Sequence, residues 1–430
     1  MANLSTSTAI SPEKPTRYRV ILVGILFLSL LVAYLDRVNV SVLLADNAFL
    51  TDMGIKGQPV QMGLLMTLFL IAYGLANVLL SPLGDIIGPR KAMCTSILLW
   101  TVSVLIGGFA ATFTLMLWSR VILGIGEGMH WPMLSSYVKN WFPPGERGKA
   151  NGVWLLGLMG GPAVAMPFFT WIVSSWGWRP SFFVLAAMGI VPLLLLWLFT
   201  TDHPRQHRWV NALEREYIES ALKAEAEQEA RLKTESLAER IKSFVSNYRF
   251  WLLTVNYFCI ASVWWGTMAW LPSYLKAARG FNWTAMGWLS SLPYILGTLS
   301  ILFFGHLADK TGRRAPFVAI GHLGSALGIY FGAQATDNLV AAVLISLGIA
   351  SIAIGLPSSW ALLQRIVPSK AIGAGAGMMN GLANGGSAFA PVMIGFFISI
   401  TGGYVGGLMF LVGLAVLGMV CMSILSAQKF

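Results

Sequence analysis

Twelve apolar runs, each close to the ~20 residues an α-helix needs to cross a bilayer, leave this chain few options. They fall near residues 19–44, 60–82, 92–112, 114–139, 148–175, 180–199, 249–276, 286–308, 315–335, 338–366, 371–400 and 405–426. Only 11% of the 430 residues are charged and 56% are hydrophobic, whereas a soluble domain carries about 25% charged residues. The expected fold is an all-α membrane protein of twelve transmembrane helices.

The net charge of +11 is topological. By these spans, 23 Lys and Arg fall in the termini and even-numbered loops, four (Lys56, Arg179, Lys276, Arg279) on the other side, and Arg37 and Arg120 inside the membrane. Cytoplasmic loops carry such an excess, so both termini are expected in the cytoplasm and no nucleic-acid partner follows. Cys94, Cys259 and Cys421 all lie in apolar runs, which predicts neither a disulfide nor a metal framework. The polar N-terminus leads into a span holding Asp36 without a small-residue cleavage pattern, and reads as retained.

Residues 201–248 divide the chain. This stretch holds half of the protein's acids and a nearly matching number of basic residues. Its sparse apolar stripe (Leu213, Tyr217, Ile218, Leu222, Leu232, Leu237, Ile241) predicts a cytoplasmic linker with one or two amphipathic helices. The flanking parts, 1–200 and 249–430, repeat each other. SPLGDIIGPRK, with Asp85, Arg90 and Lys91, recurs as GHLADKTGRR, with Asp309, Arg313 and Arg314, at an offset of 224 residues. NWFPPGERGKANG recurs as QRIVPSKAIGAGAG at an offset of 225. Two unrelated matches at nearly one offset predict two pseudo-symmetric six-helix halves, with a substrate site between them near the midplane. The paired loops suit a cytoplasmic latch formed by Asp85, Arg90, Asp309, Arg313 and Arg314.

Four charges sit inside the spans: Asp36 and Arg37 in the first, Arg120 and Glu127 in the fourth. An ionisable group at membrane depth is expensive and faces a bundle interior or a wet cavity. Seven residues separate Arg120 from Glu127, about two helical turns or roughly 10 Å, so both point the same way. Guanidinium holds a carboxylate through paired donors, and an acid beside it can exchange a proton as the anion comes and goes. The expectation is that Glu127 neutralises an arginine and that its protonation frees Arg120 for substrate. Asp36 is either a second proton site or an orienting partner of Arg37. His130, one turn from Glu127, is a candidate relay or a packing residue, and Trp154 and Trp265 are candidate cavity walls or packing residues. GIGEG and GAGAG follow no strand, so they read as helix-packing glycines, not nucleotide loops.

GHLADKTGRR resembles the loop signature of the major facilitator superfamily. YLDRVN, SRVILGIGEG with the following HWP, NWFPPGERGKANG and WLPSYL resemble the anion:cation symporter family, which includes bacterial hexonate–proton symporters and, more distantly, sialin and the vesicular glutamate transporters. The resemblance runs over the whole chain and is nearest, by spacing, to the D-galactonate type. It implies Arg37 and Arg120 as substrate ligands, Asp36 and Glu127 as proton-coupling acids, and Tyr34, Tyr73, Trp360 and Asn380 as cavity contacts. Leu158 stands where that type has glutamine, and Pro357 where it has serine, with Ser359 close by as a substitute contact. His130 and Trp131 also depart from it, as do Ile86 and Pro89 in the first latch loop.

The function implied is proton-coupled symport of a small organic anion, a sugar acid such as a hexonate. It would run in a plasma (bacterial inner) membrane, by a monomer that needs no cofactor beyond the proton gradient. An aromatic or dicarboxylic acid symporter, a sugar-phosphate-type exchanger, drug efflux and a transporter-like sensor are the alternatives. No metal cluster or nucleophile–base pair suggests an enzyme.

Overall fold

The computed structural model describes residues 15–232, 237–368 and 371–428, and within them the side chains of all but 85, 228–232, 237–240, 305 and 309. Twelve long helices form the body. The first six spans are Tyr18–Leu43, Pro59–Leu79, Pro89–Phe109, Phe113–Trp141, Arg147–Trp176 and Trp178–Phe199. The seventh runs from Tyr248 through Ser273 into a π-turn ending at Ala278, followed by Trp283–Thr311 and Ala315–Gln334. The tenth and eleventh are each broken in two, Asn338–Ile352 with Gly355–Ile366 and Ile372–Ser387 with Ala390–Thr401, and Tyr404–Ala427 is the twelfth. Eleven of these are apolar enough to cross a membrane by length and composition, the broken tenth and eleventh each counted as one. The exception is Phe113–Trp141, 29 residues long, whose Arg120, Glu127 and His130 dilute its hydropathy.

Local chemistry sets the boundaries. Thr112, Asn282 and Asp337 cap the helices that follow them, accepting hydrogen bonds from the backbone N–H groups of Leu115, Ala285 and Val340. Gly177, at φ +84°, ends the fifth span and starts the sixth, a backbone turn that a side chain would strain. Pro132, Pro162, Pro167 and Pro293 lie inside continuous helices. The tenth span breaks at Ala353 and Ile354, where Pro357 removes an N–H and clashes with the carbonyl four residues back. The eleventh breaks before Pro391 in the same way.

Each half packs internally in matching pairs: the third span against the fourth and sixth, the ninth against the tenth and twelfth. The halves meet through the second and eleventh spans, the fifth and eighth, and the first and seventh. These contacts are tightest at the end opposite the termini. A Cβ on Gly63 would lie 2.7 Å from the Val392 Cα, and one on Gly287 would lie 3.1 Å from the Pro167 Cα. At the end bearing the termini, Gly148, Gly152, Gly373 and Gly377 have open space where a Cβ would stand. The bundle is closed at one end and splayed at the other.

Two helices, Ala212–Leu232 and Leu237–Val245, lie between the halves in sequence. The first is bound to the first half by charge. Glu214, fully buried, accepts from the Tyr18 backbone N–H at 3.0 Å and pairs with Arg19 at 2.8 Å. Arg19 also pairs with Glu146, and Arg147 forks onto both Glu225 oxygens at 2.6 and 2.7 Å. The expected apolar stripe is only partly buried: Ile218 is inside, whereas Leu213 and Tyr217 are exposed. The side chains of Leu232 and Leu237 lie outside the described residues, as do Lys370 and Lys429 and the side chains of the latch acids Asp85 and Asp309.

Candidate functional site

Asp36, Arg37, Arg120 and Glu127 are each no more than 2% exposed, and the first and fourth spans bring them together between the halves. The Arg37 Nε donates to Glu127 Oε2 at 2.6 Å. This corrects the expected pairing of Glu127 with Arg120. Two turns of one helix hold those groups about 10 Å apart, while Arg37 reaches Glu127 directly from a neighbouring helix. Neither Asp36 oxygen has a hydrogen-bond partner among the described residues, and the same holds for Nε and Nη2 of Arg120 and Oε1 of Glu127. Asp36 lies within electrostatic range of Glu127, Arg120 and Arg37. The chamber thus holds two positive and two negative formal charges, one pair bonded and one pair with donors and acceptors to spare.

Aromatic faces surround the guanidinium of Arg37. Its Cζ is 4.4 Å from the Tyr34 ring centroid, 4.8 Å from Tyr73, 5.5 Å from Phe69 and 5.5 Å from Trp265. Phe69 also underlies Arg120, at 5.0 Å. Such faces attract a desolvated cation by roughly 2 kcal/mol and hold Arg37 where it can exchange one carboxylate for another. Close helix packing makes this possible. Gly124 and Gly128 on the fourth span let it approach the backbone of the second, where a Cβ would lie 2.9 Å from the Tyr73 nitrogen and 3.1 Å from the Asn77 nitrogen.

The second half reaches the chamber through Trp265, whose Nε1 donates to Asn384 Oδ1 at 3.4 Å; the Asn384 amide donates in turn to Asn380 Oδ1 at 2.8 Å. Trp360 stands edge-on to Tyr257 at 5.6 Å. Ser359 is elsewhere: fully buried, it accepts from Asn256 Nδ2 at 2.9 Å, and Asn256 Oδ1 bonds the His322 Nε2 at 2.7 Å. It belongs to a packed cluster of the seventh, ninth and tenth spans. His130 is buried edge-on to Trp100 with neither ring nitrogen hydrogen-bonded among the described residues. Trp154 is buried against Trp131 and donates to Asn151 Oδ1. Arg90 donates from its backbone to Asp202, at the start of the linker, at 2.7 Å, and Arg313 is exposed. Arg314, at the start of the ninth span, is half-buried.

Sequence reasoning missed Phe69, Tyr257 and Asn384. Phe69 precedes Tyr73 by one turn and Asn384 follows Asn380 by one turn, so helical spacing from residues already singled out was the available signal.

A chain of paired six-helix halves with ion-paired side chains buried at their interface is a membrane carrier in its architecture. The sequence matches the Major Facilitator Superfamily family model over residues 26–391 and 280–428, and the chain belongs to that family. It is a transporter and not an enzyme, of a family whose members need no cofactor. It is 31% identical to a probable sulfoacetate transporter of Cupriavidus necator, over 93% of this chain and 91% of that protein. It is 28% identical to a probable galactarate/D-glucarate transporter of Bacillus subtilis (92% and 89% covered) and 25% identical to a D-galactonate transporter of Escherichia coli O6:H1 (95% and 96%). In fold it is similar to an inward-facing, unoccupied bacterial homologue of the human lysosomal transporter Spinster, with TM-score 0.78 and 17% identity over 97% of this chain and 99% of that one. The D-xylose–proton symporter gives TM-score 0.74 at 16% identity, covering 94% and 97%.

Proposed function

We propose that this chain carries a small organic anion, a sugar acid such as a hexonate, together with protons, by rocking residues 1–200 against 249–430 about the buried charges. The observation that supports the reading is the buried Arg37–Glu127 pair beside Asp36 and Arg120, whose carboxylate oxygens and whose Nε and Nη2 have no hydrogen-bond partner among the described residues. The four formal charges cancel. Admitting one carboxylate would leave a negative charge uncompensated in a low-dielectric chamber, which is costly. A proton on Glu127 cancels it, and the same proton frees the Arg37 fork to take the substrate carboxylate. Arg120 offers the second set of donors, and Asp36 is the site for any second proton. Tyr34, Tyr73, Trp360 and Asn380 are the proposed wall contacts, with Arg90, Arg313 and Arg314 in the gate at the terminal end. The setting proposed is a bacterial inner membrane, termini in the cytoplasm, with the monomer as the working unit.

A second reading is favoured by Leu158, which packs against the core where the galactonate-type pattern has glutamine, and by the rings around Arg37. Fewer hydroxyl partners suit a compact acid, such as a dicarboxylate or an aromatic carboxylate. The relative named for sulfoacetate adds a sulfonate to that set.

Uptake into proteoliposomes tests both, using hexonates, hexuronates, dicarboxylates, sulfoacetate and aromatic acids with and without an inward proton gradient. The expected result is accumulation of one class that collapses when the gradient is abolished. Glu127→Gln should lose accumulation and retain counterflow. Accumulation by Glu127→Gln against a gradient would defeat the proposed coupling.

A further inference from the structure

The internal repeat exposes a difference between the halves. Between the third and sixth spans, at the end bearing the termini, lies an open cleft of about 750 Å³ lined by Ile86, Lys91, Thr95, Leu98, Leu194 and Trp197, among others. Lys91, Thr95 and Leu98 are exposed and form one stripe of the third span, at spacings of four and three residues. Leu194 and Trp197, each 51% exposed, make the facing wall.

Arg90 fixes that wall. Its backbone N–H is held by Asp202, its guanidinium donates to the Trp197 carbonyl, and its Cζ lies 4.7 Å from the Trp197 ring centroid. The guanidinium is thereby held against the Trp197 wall. Lys91 has neither a hydrogen bond nor an ion pair among the described residues, so the rim of the cleft carries one unengaged ammonium above apolar walls.

At the repeat offset of 224 residues that relates the paired loops, Lys91 and Leu98 of the third span correspond to Ala315 and His322 of the ninth. There the ninth and twelfth spans close on each other. His322 is 1% exposed, and a Cβ on Gly418 would lie 2.5 Å from its Nε2. The matching space is filled and the matching cation is absent. The helix arrangement itself therefore does not demand an open cleft.

We propose that this cleft seats one anionic phospholipid, its phosphate on Lys91 and an acyl chain along Leu98, Leu194 and Trp197. The walls lie in a membrane-spanning region and can be covered by hydrocarbon without loss of hydrogen bonds. The lone ammonium at the rim complements a net-negative headgroup and gains less from a choline headgroup, which brings its own cation.

The test uses the purified full-length protein in bilayers containing either a phosphatidylglycerol or a phosphatidylcholine with a photoreactive acyl chain, with labelled peptides mapped by mass spectrometry. Labelling of 86–98 and 193–197 should favour the anionic lipid by about fivefold, the ratio one basic residue near a charged headgroup supplies. Lys91→Glu should remove that preference, Lys91→Arg should keep it, and Lys276→Glu, at the opposite end, should leave it unchanged. Leu194→Trp, which fills the cleft, should lower labelling by both lipids. Equal labelling by the two lipids in the unaltered protein would overturn the proposal, as would a Lys91→Glu protein that keeps the preference or a Lys276→Glu protein that loses it.

Discussion

Arg37 is held by one carboxylate and four rings, and its neighbours depend on it as much as it depends on them. Breaking a buried pair by removing one partner leaves the other charge uncompensated, at a cost of about 3–5 kcal/mol. Arg37→Ala should therefore lower the melting temperature in detergent clearly, and Arg37→Lys should lower it less, since a cation remains. Arg37→Lys should still weaken anion binding by about tenfold or more, because an ammonium has no planar fork for a carboxylate; calorimetric titration with the transported acid checks this. The four intramembrane charges were legible in the sequence because a charge in an apolar run is conspicuous. Their pairing was not. Register along one helix pointed Glu127 at Arg120, and nothing in the sequence measures how near another helix comes. Phe69 stayed hidden for a related reason, since a phenylalanine among leucines carries no mark of the cation above it.

Among the elements, the span boundaries followed from hydrophobic length and caps, and the structure places them within a few residues of expectation. The helix is interrupted before Pro357 and Pro391 and runs on through Pro132 and Pro162. The contact of Gly63 with Pro391 and Val392 leaves no room for a side chain. Gly63→Leu should loosen the closed end, so that a Thr67→Cys reporter, with Cys94, Cys259 and Cys421 replaced by serine, reacts several-fold faster with an impermeant thiol reagent on the side away from the termini. The linker helix is open to a separate test. Hydrogen bonds from Arg147 hold the Glu225 carboxyl below its usual range. A depressed carboxylate stabilises docking fully above its unfolded pKa of about 4.3 and loses that effect as pH falls through the folded value. Hydrogen exchange over 212–227 should accordingly rise in acid, and Glu225→Gln should raise it already at neutral pH.

At the scale of the whole molecule, duplication was plain in the paired loops, while the conformation was not, because one sequence serves every state of a carrier. The structure is closed at the Pro59 end and splayed at the other. Gly377 lies on the same stripe of the eleventh span as Asn380 and Asn384 and has open space around it. In the cysteine-free background, Gly377→Cys should label readily from the side of the termini, and saturating acid with protons should change its rate. An unchanged rate would mean that the halves do not rock on loading. Under the proposed cycle Arg37, finally, would never stand idle, since it would grip either its own acid, as it does here, or the visitor's. A carrier built that way would leave a chloride or hydroxide arriving alone only the donors of Arg120 among greasy walls, so a starving cell would lose little of its membrane potential while the protein waits.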